Sequence, residues 1–171
     1  MTAILAKADI RRLLQQKPPL FEDYIDLEAQ LQPNGFDLTL RDIASLETAG
    51  HIAASDKERR VSEAAQLTFD GAGFIELKPG PYLITYNEIV HLPNNVMALA
   101  RPRSSLLRCG VTVGTAVWDA GYSGRSQSLL VVYNAKGFRL QKDARVLQLI
   151  FFPLTQETEG YHGAYQGENI G

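Results

Sequence analysis

The residues best equipped for chemistry sit in short segments separated by apolar runs. Residues 101–108, RPRSSLLR, hold three arginines and two serines within eight positions. Guanidinium groups make charge-assisted, often bidentate bonds to phosphate oxygens, and hydroxyls add neutral donors. This is equipment for a polyphosphate, although such a basic stretch also occurs as a salt-bridged surface. No GxxxxGK[ST] run is present, so the grip is not a P-loop. Ser104 and Ser105 lie outside a GxSxG context, which disfavours a serine hydrolase.

Residues 118–125, WDAGYSGR, place Asp119 after an apolar run and before Gly121 and Gly124, which flank Tyr122. Glycines permit a sharp turn and close approach of a ligand to the backbone. A turn of that kind holds a carboxylate rigidly, as a general base requires, and offers an aromatic to a sugar or base. The plainer reading is a hairpin with an Asp turn residue. Asp37 lies in QPNGFDLTL (32–40), where Phe36, Leu38 and Leu40 alternate with Asp37 and Thr39. The alternation predicts one buried and one polar face. His51, His91 and His162 are far apart and make no metal-ligand pattern.

These segments need a scaffold, and the sequence predicts a β-rich one. Residues 7–16 read as a short helix stopped by Pro18-Pro19. Residues 56–65 read as a solvated, charged excursion. Strands are predicted at 74–77, 82–90, 96–101, 111–118, 128–134, 138–140 and 146–154, separated by turn residues such as Pro79-Gly80-Pro81 and Lys136-Gly137. That spacing suggests a sandwich, jelly roll or small barrel. Residues 155–171 lose the strand pattern and carry four glycines with Tyr161 and Tyr165. They read either as a frayed terminus or as a flexible lid.

Composition sets the outer bounds. The 171 residues suit a single domain, and 45% hydrophobic against 21% charged residues is ordinary for a globular chain. A formal net charge of −2 argues against a nucleic-acid partner, but a few placed arginines suffice for a small anion. Cys109 is the only cysteine, so no disulfide forms within the chain and a reducing compartment is expected. No secretory leader and no membrane span is predicted, and the expected location is the cytoplasm.

Taken in order, the segments resemble the dUTPase and dCTP-deaminase family. NGFDLTL resembles its first motif, PRSSLLRCGV (102–111) its second, AVWDAGYSGR (116–125) its third, and DARVLQLIFFPL (143–154), with Arg145 and Gln148, its fourth. AYQGE (164–168) is similar to the deaminase tail motif KYxxQ, with Ala164 in the place of the Lys. The resemblance covers roughly residues 30–168. It implies an all-β, distorted jelly-roll subunit (the dUTPase-like β-clip) with a short N-terminal helix, and a homotrimer with active sites between subunits. It also implies Mg²⁺ bound mainly through a triphosphate, with no direct protein ligand.

The deaminase branch has a catalytic Glu three residues before an Asn, on the strand after the third motif. Here the Asn is Asn134, and the residue three before it is Val131; an ungapped count from Asp119 lands on Leu129. Residues 120–134 contain neither Glu nor Asp, and an apparent two-residue insertion lies at 125–127. An aliphatic side chain cannot transfer protons. The resemblance therefore favours the hydrolase branch, as described from archaea. It implies dUTP as substrate, dUMP and pyrophosphate as products, and Asp119 as base. It implies Arg103, Ser104, Ser105, Arg108 and Gln148 on the phosphates and Tyr122 on the deoxyribose. The backbone of Leu129, Leu130 and Val131 would read the uracil, Asp37 would hold a metal-bound water, and Tyr165 and Gln166 would close the lid. The alternatives are a dCTP deaminase, a bifunctional deaminase and dUTPase, and a nucleotide-binding module without catalysis.

Overall fold

Most of the apolar runs become strands in the computed structural model, which describes residues 4–170. The chain begins with α1 (Lys7–Leu13), β1 (Phe21–Glu22), α2 (Leu27–Gln30), β2 (Leu31–Gln32) and the long β3 (Gly35–Leu46). After an excursion with a 3₁₀ turn at Asp56–Glu58 come β4 (Ala64–Gln66), β5 (Phe74–Leu77), β6 (Gly80–Tyr86), β7 (Ile89–His91) and β8 (Val96–Pro102). Then follow α3 (Ser104–Arg108), β9 (Val111–Gly114), β10 (Ser123–Gly124), β11 (Gln127–Val132), β12 (Phe138–Gln141) and β13 (Arg145–Pro153). No helix among the described residues is long and apolar enough to cross a membrane.

The main sheet runs β8-β13-β3-β6-β11-β9, with β2 and β4 added on β3; β1-β7-β10 and β12-β5 form two smaller sheets. β3 links the halves of the main sheet. Phe36–Thr39 pair with β13, whereas Leu40–Ser45 pair with β6 across a register shift between Leu40 and Asp42. An irregularity of that kind bends a strand, which curls the sheet around its apolar face. Phe21 of β1 stacks on Phe36 of β3 with centroids 4.2 Å apart and meets Phe151 of β13 edge-on at 6.0 Å. Ile10 of α1, Leu38, Leu40, Ile84, Leu130 and Leu149 fill the same core and are fully buried. The mostly-β fold with a short N-terminal helix is thus as predicted.

Local departures have physical reasons. α1 stops at Leu13, three residues short of the prediction, because the chain must turn through Gln15 and Gln16 before Pro18 to bring Leu20 and Phe21 into the core. The run 82–90 is two strands, broken where Asn87 and Glu88 turn their polar groups inward. The run 111–118 pairs only as far as Gly114, then opens until Trp118 meets Ala98. The basic segment 101–108, read as a connection between strands, contains α3.

Candidate active site

Pro102 closes β8, and one turn of helix follows. Leu106 is the buried residue of α3 and ties it to the core; Ser104, Ser105 and Arg108 are left exposed, with Arg108 Nη1 donating to Ser104 O at 3.2 Å. Arg103 turns the other way. Its Nε lies 3.1 Å from Asp37 Oδ2, and Arg145 Nη1 lies 3.3 Å from the same oxygen. Asp37 is only 1% exposed, so the predicted polar face of β3 is buried under arginines and not solvated. Burial holds the Asp37 carboxyl above its ordinary value, while Arg103 and Arg145 draw it back down. Gln148 of β13 pairs with Asp37 on one side and Arg101 on the other. The fold therefore gathers Asp37, Arg103, Arg145, Gln148 and the exposed donors of α3 at one end of β8. Arg101 and Arg145 complete this cationic wall; neither was among the residues predicted for the site.

Asp119 is mounted elsewhere. Trp118 exchanges two main-chain bonds with Ala98, at 2.9 and 3.1 Å, and its indole Nε1 donates to Ser126 Oγ at 3.0 Å. Asp119 follows with an exposed side chain, and Tyr122 N closes a turn onto Asp119 O at 3.1 Å. Gly121 has φ +81°, and a Cβ there would meet Gly160 Cα at 2.6 Å. At Gly124 a Cβ would meet the Tyr122 hydroxyl at 2.6 Å and Glu168 Cγ at 3.2 Å. The spacing of these glycines predicts close approach of a ligand. In the structure the tail approaches instead.

The predicted lid segment lies folded along this turn. Tyr161 packs edge-on against Tyr122, and Tyr122 Oη donates to Glu168 Oε1 at 2.8 Å. Tyr122 is consequently 6% exposed, and the open ring face expected for a sugar is covered. Burial first, then the nearby Glu168, pushes the Tyr122 hydroxyl well above its ordinary value; burial likewise raises Glu168. Arg125 anchors the whole arrangement from inside. Its side chain is 6% exposed and donates to Asn87 O, Asp23 Oδ2 and Asn169 O. Gln166 holds main-chain groups of the turn, and exposed Tyr165 lies under the Arg59 guanidinium, 5.8 Å from its ring centroid. Arg125 and Glu168 end two of the segments singled out in the sequence, yet neither was among the residues predicted for the site; each matters through segments far away in the chain.

β11 also departs from expectation. It pairs with β6 on one edge and β9 on the other across Leu129, Leu130 and Val131. Their main chain is committed to the sheet, so it is not free to read a base. What the strand presents outward are the side chains of Gln127, Leu129 and Val131; Ser128, Leu130 and Val132 face in. That outward row contains no carboxylate.

Within one chain the candidate base and the cationic wall stand apart. The Ala98–Trp118 bridge is antiparallel, so Asp119 runs on beside Met97, away from Arg101. At ~3.3 Å per residue this leaves roughly 13 Å along the strand between Asp119 and Arg101.

Comparison with known proteins gives a consistent ancestry. The family model for dCTP deaminase-like proteins matches residues 4–154. A probable deoxyuridine 5'-triphosphate nucleotidohydrolase of Methanosarcina mazei is 51% identical over 168 residues, 98% of either chain. The protein of the same description from Archaeoglobus fulgidus is 47% identical over 168 residues, again 98% of either chain. The deoxyuridine 5'-triphosphate nucleotidohydrolase of Methanocaldococcus jannaschii is 34% identical over 82% of this chain and 89% of its own. Among solved structures, the 2'-deoxycytidine 5'-triphosphate deaminase of Agrobacterium tumefaciens superposes with a TM-score of 0.69 at 24% identity, covering 89% of this chain. This chain covers 48% of that deaminase's length. The native EIAV dUTPase gives a TM-score of 0.51 at 14% identity, over 84% of this chain and 95% of its own. The structural likenesses establish a shared fold, and the sequence likenesses, running nearly end to end, establish descent: the chain belongs to the dCTP deaminase-like family.

Proposed function

We propose that the chain is a dUTP diphosphatase. Asp119 accepts a proton from a water that attacks the α-phosphorus of dUTP; the bond to the bridging oxygen breaks, and dUMP and pyrophosphate leave. One observation carries the choice of hydrolase over deaminase. Asp119 stands exposed on a braced turn, while the outward row of β11 offers only Gln127, Leu129 and Val131 and no carboxylate to shuttle protons to a base. The archaeal relatives, at about half identity over the full chain, are described as deoxyuridine triphosphate nucleotidohydrolases, which supports the same substrate.

In this reading Arg103, Ser104, Ser105, Arg108 and Gln148 receive the phosphates, since charged donors fixed in advance stabilise charge as it develops. Leu129 offers an apolar wall to the base, and Tyr165 with the tail covers the bound nucleotide. No group of three or more His, Cys, Asp or Glu residues suited to a metal occurs among the described residues, so a Mg²⁺ ion would arrive on the triphosphate itself. Asp37 suits that part: Oδ2 is held by both arginines, while buried Oδ1 has no partner among the described residues and is the acceptor a metal-bound water would satisfy. Such an ion would neutralise phosphate charge. The separation of Asp119 from the arginines supports a site completed between copies of the chain, a homotrimer in this reading.

The deciding experiment supplies Mg²⁺ with dUTP or with dCTP and follows pyrophosphate and ammonia. Pyrophosphate from dUTP alone supports the proposal. Ammonia from dCTP would reassign the chain to the deaminase branch, and no product from either would leave a binding module.

A further inference from the structure

The tail does more than lie across the Asp119 turn. Gln166 uses both ends of its amide on it: Oε1 accepts from Ser123 N at 2.9 Å, and Nε2 donates to Gly121 O at 3.0 Å. Those two main-chain groups bracket Tyr122. Gly167 N donates to Ser123 O at 2.7 Å, and Arg125 N donates to Glu168 O at 2.9 Å. Asn169 Nδ2 donates to Arg125 O at 3.0 Å, and the Glu168 carboxylate accepts from Tyr122 Oη at 2.8 Å. The opposite edge of the turn is held by the body of the protein, through Leu92 N to Tyr122 O at 2.8 Å and Gly121 N to Pro93 O at 3.3 Å. The turn thus has two edges, one bonded to the segment that follows β7 and one bonded to the tail.

We propose that Gln166 and Glu168 are positioning residues that fix Asp119 by clamping the turn of their own chain. The inference rests on Asp119 being the base of the proposed reaction. It assigns Gln166 a different task from closing a lid against the bound triphosphate. A triphosphate contact would strengthen binding, whereas a clamp aligns the base and acts on turnover. The chemistry of the clamp is specific. Gln166 needs one acceptor and one donor, so Gln166→Glu, which turns a second oxygen toward Gly121 O, cannot replace it. Glu168 needs only an acceptor for Tyr122, so Glu168→Gln can. Gln166 is exposed and its variants leave the core untouched, whereas Glu168 is half-buried against the core residue Tyr122, so Glu168→Gln, which keeps the acceptor, is its informative variant.

Two measurements test this. In ligand-free protein, amide hydrogen exchange at Ser123 and Arg125 should accelerate in Gln166→Ala; unchanged exchange would overturn the clamp. With dUTP, Gln166→Ala and Glu168→Ala should lower kcat on the order of 10- to 100-fold, the scale of a misaligned catalytic group. Affinity for the non-hydrolysable α,β-imido analogue of dUTP should stay within about twofold in both, since each removes alignment and not a ligand contact. Glu168→Gln should recover kcat and Gln166→Glu should not. Weakened analogue binding with kcat intact at saturation would overturn the proposal and make Gln166 a phosphate ligand. Wild-type protein inert toward dUTP would defeat the hydrolase reading, while the exchange result would still judge the clamp.

Discussion

At the scale of single residues the two aspartates of the candidate site have opposite surroundings, and their substitutions should behave differently. Asp119 is exposed, and in the proposed reaction its task is protonic. Asp119→Asn should lower turnover by about 10²–10⁴-fold, the range for loss of a general base, with analogue affinity intact; equal loss of both would make the residue structural. Asp37 is buried beneath Arg103 and Arg145. Asp37→Ala would leave two half-buried guanidinium groups without their shared acceptor, at a cost of about 1.5–3 kcal/mol, the scale of a hydrogen bond to a charged group. Urea unfolding should register that loss, and a stability equal to wild type would mean the arginines had found other partners. The alternation of β3 showed that Asp37 and Thr39 share a face. It could not show that arginines from two distant segments would roof that face, because strand periodicity reports sidedness and not what covers a side.

At the scale of elements, the break between β6 and β7 is instructive. The apolar run 82–90 reads as one strand, yet Glu88, toward its end, is wholly buried, accepting from Gln30 Nε2, Thr39 N and Thr39 Oγ1 at 2.6–2.9 Å. This carboxylate ties α2 and β3 to the β6–β7 corner, and so supports the strand that carries Asp37. One acidic residue in an apolar run has no signature in sequence, since its partners lie 49 and 58 positions away. Burial outweighs the three donors and raises the Glu88 carboxyl above its ordinary value of 4.5. The folded protein then holds this proton more tightly than the unfolded chain does. The contribution is fully present below 4.5 and is lost as pH rises through the raised value. Unfolding free energy followed upward from pH 4 should fall across that window, and Glu88→Gln should flatten the fall. The same substitution puts an amide N–H against Thr39 N and should destabilise the fold by about 1–3 kcal/mol; a slope identical to wild type would place the titration elsewhere. The tail taught the same lesson. Its glycines and tyrosines suggested a lid or a frayed end, whereas it is folded onto residues 121–125 by its main chain and by the side chains of Gln166, Glu168 and Asn169, partners that composition cannot reveal.

At the scale of the whole molecule, the fold separates what the proposed reaction would have to join. The arginines sit where β8 enters α3, and Asp119 lies beside the other half of β8. The face between them is apolar: Leu99 pairs with Ile150 and Met97 with Phe152, and Leu99 remains 42% exposed. An exposed apolar strip beside an incomplete site is what a subunit contact would cover. If sites form between copies, a chain lacking Asp119 and a chain lacking Arg108 are each impaired alone at subsaturating dUTP but complement one another. Mixing Asp119→Asn with Arg108→Ala, unfolding and refolding them together, lets chains assort at random. In a closed ring with Asp119 from one chain and Arg108 from its neighbour, roughly a quarter of the sites are then intact. Activity recovered toward that fraction, with a trimer mass by light scattering, is the expected result. Two impaired variants that gain no activity on co-assembly would mean that both residues serve one chain's site, and that Asp119 reaches the arginines by a movement of the 116–125 segment. The size of the recovery also separates the roles of the two groups. Arg108→Ala alone should weaken analogue binding by about 1.5–3 kcal/mol, and in the mixture about half of the sites should bind at wild-type affinity, twice the fraction that turns over.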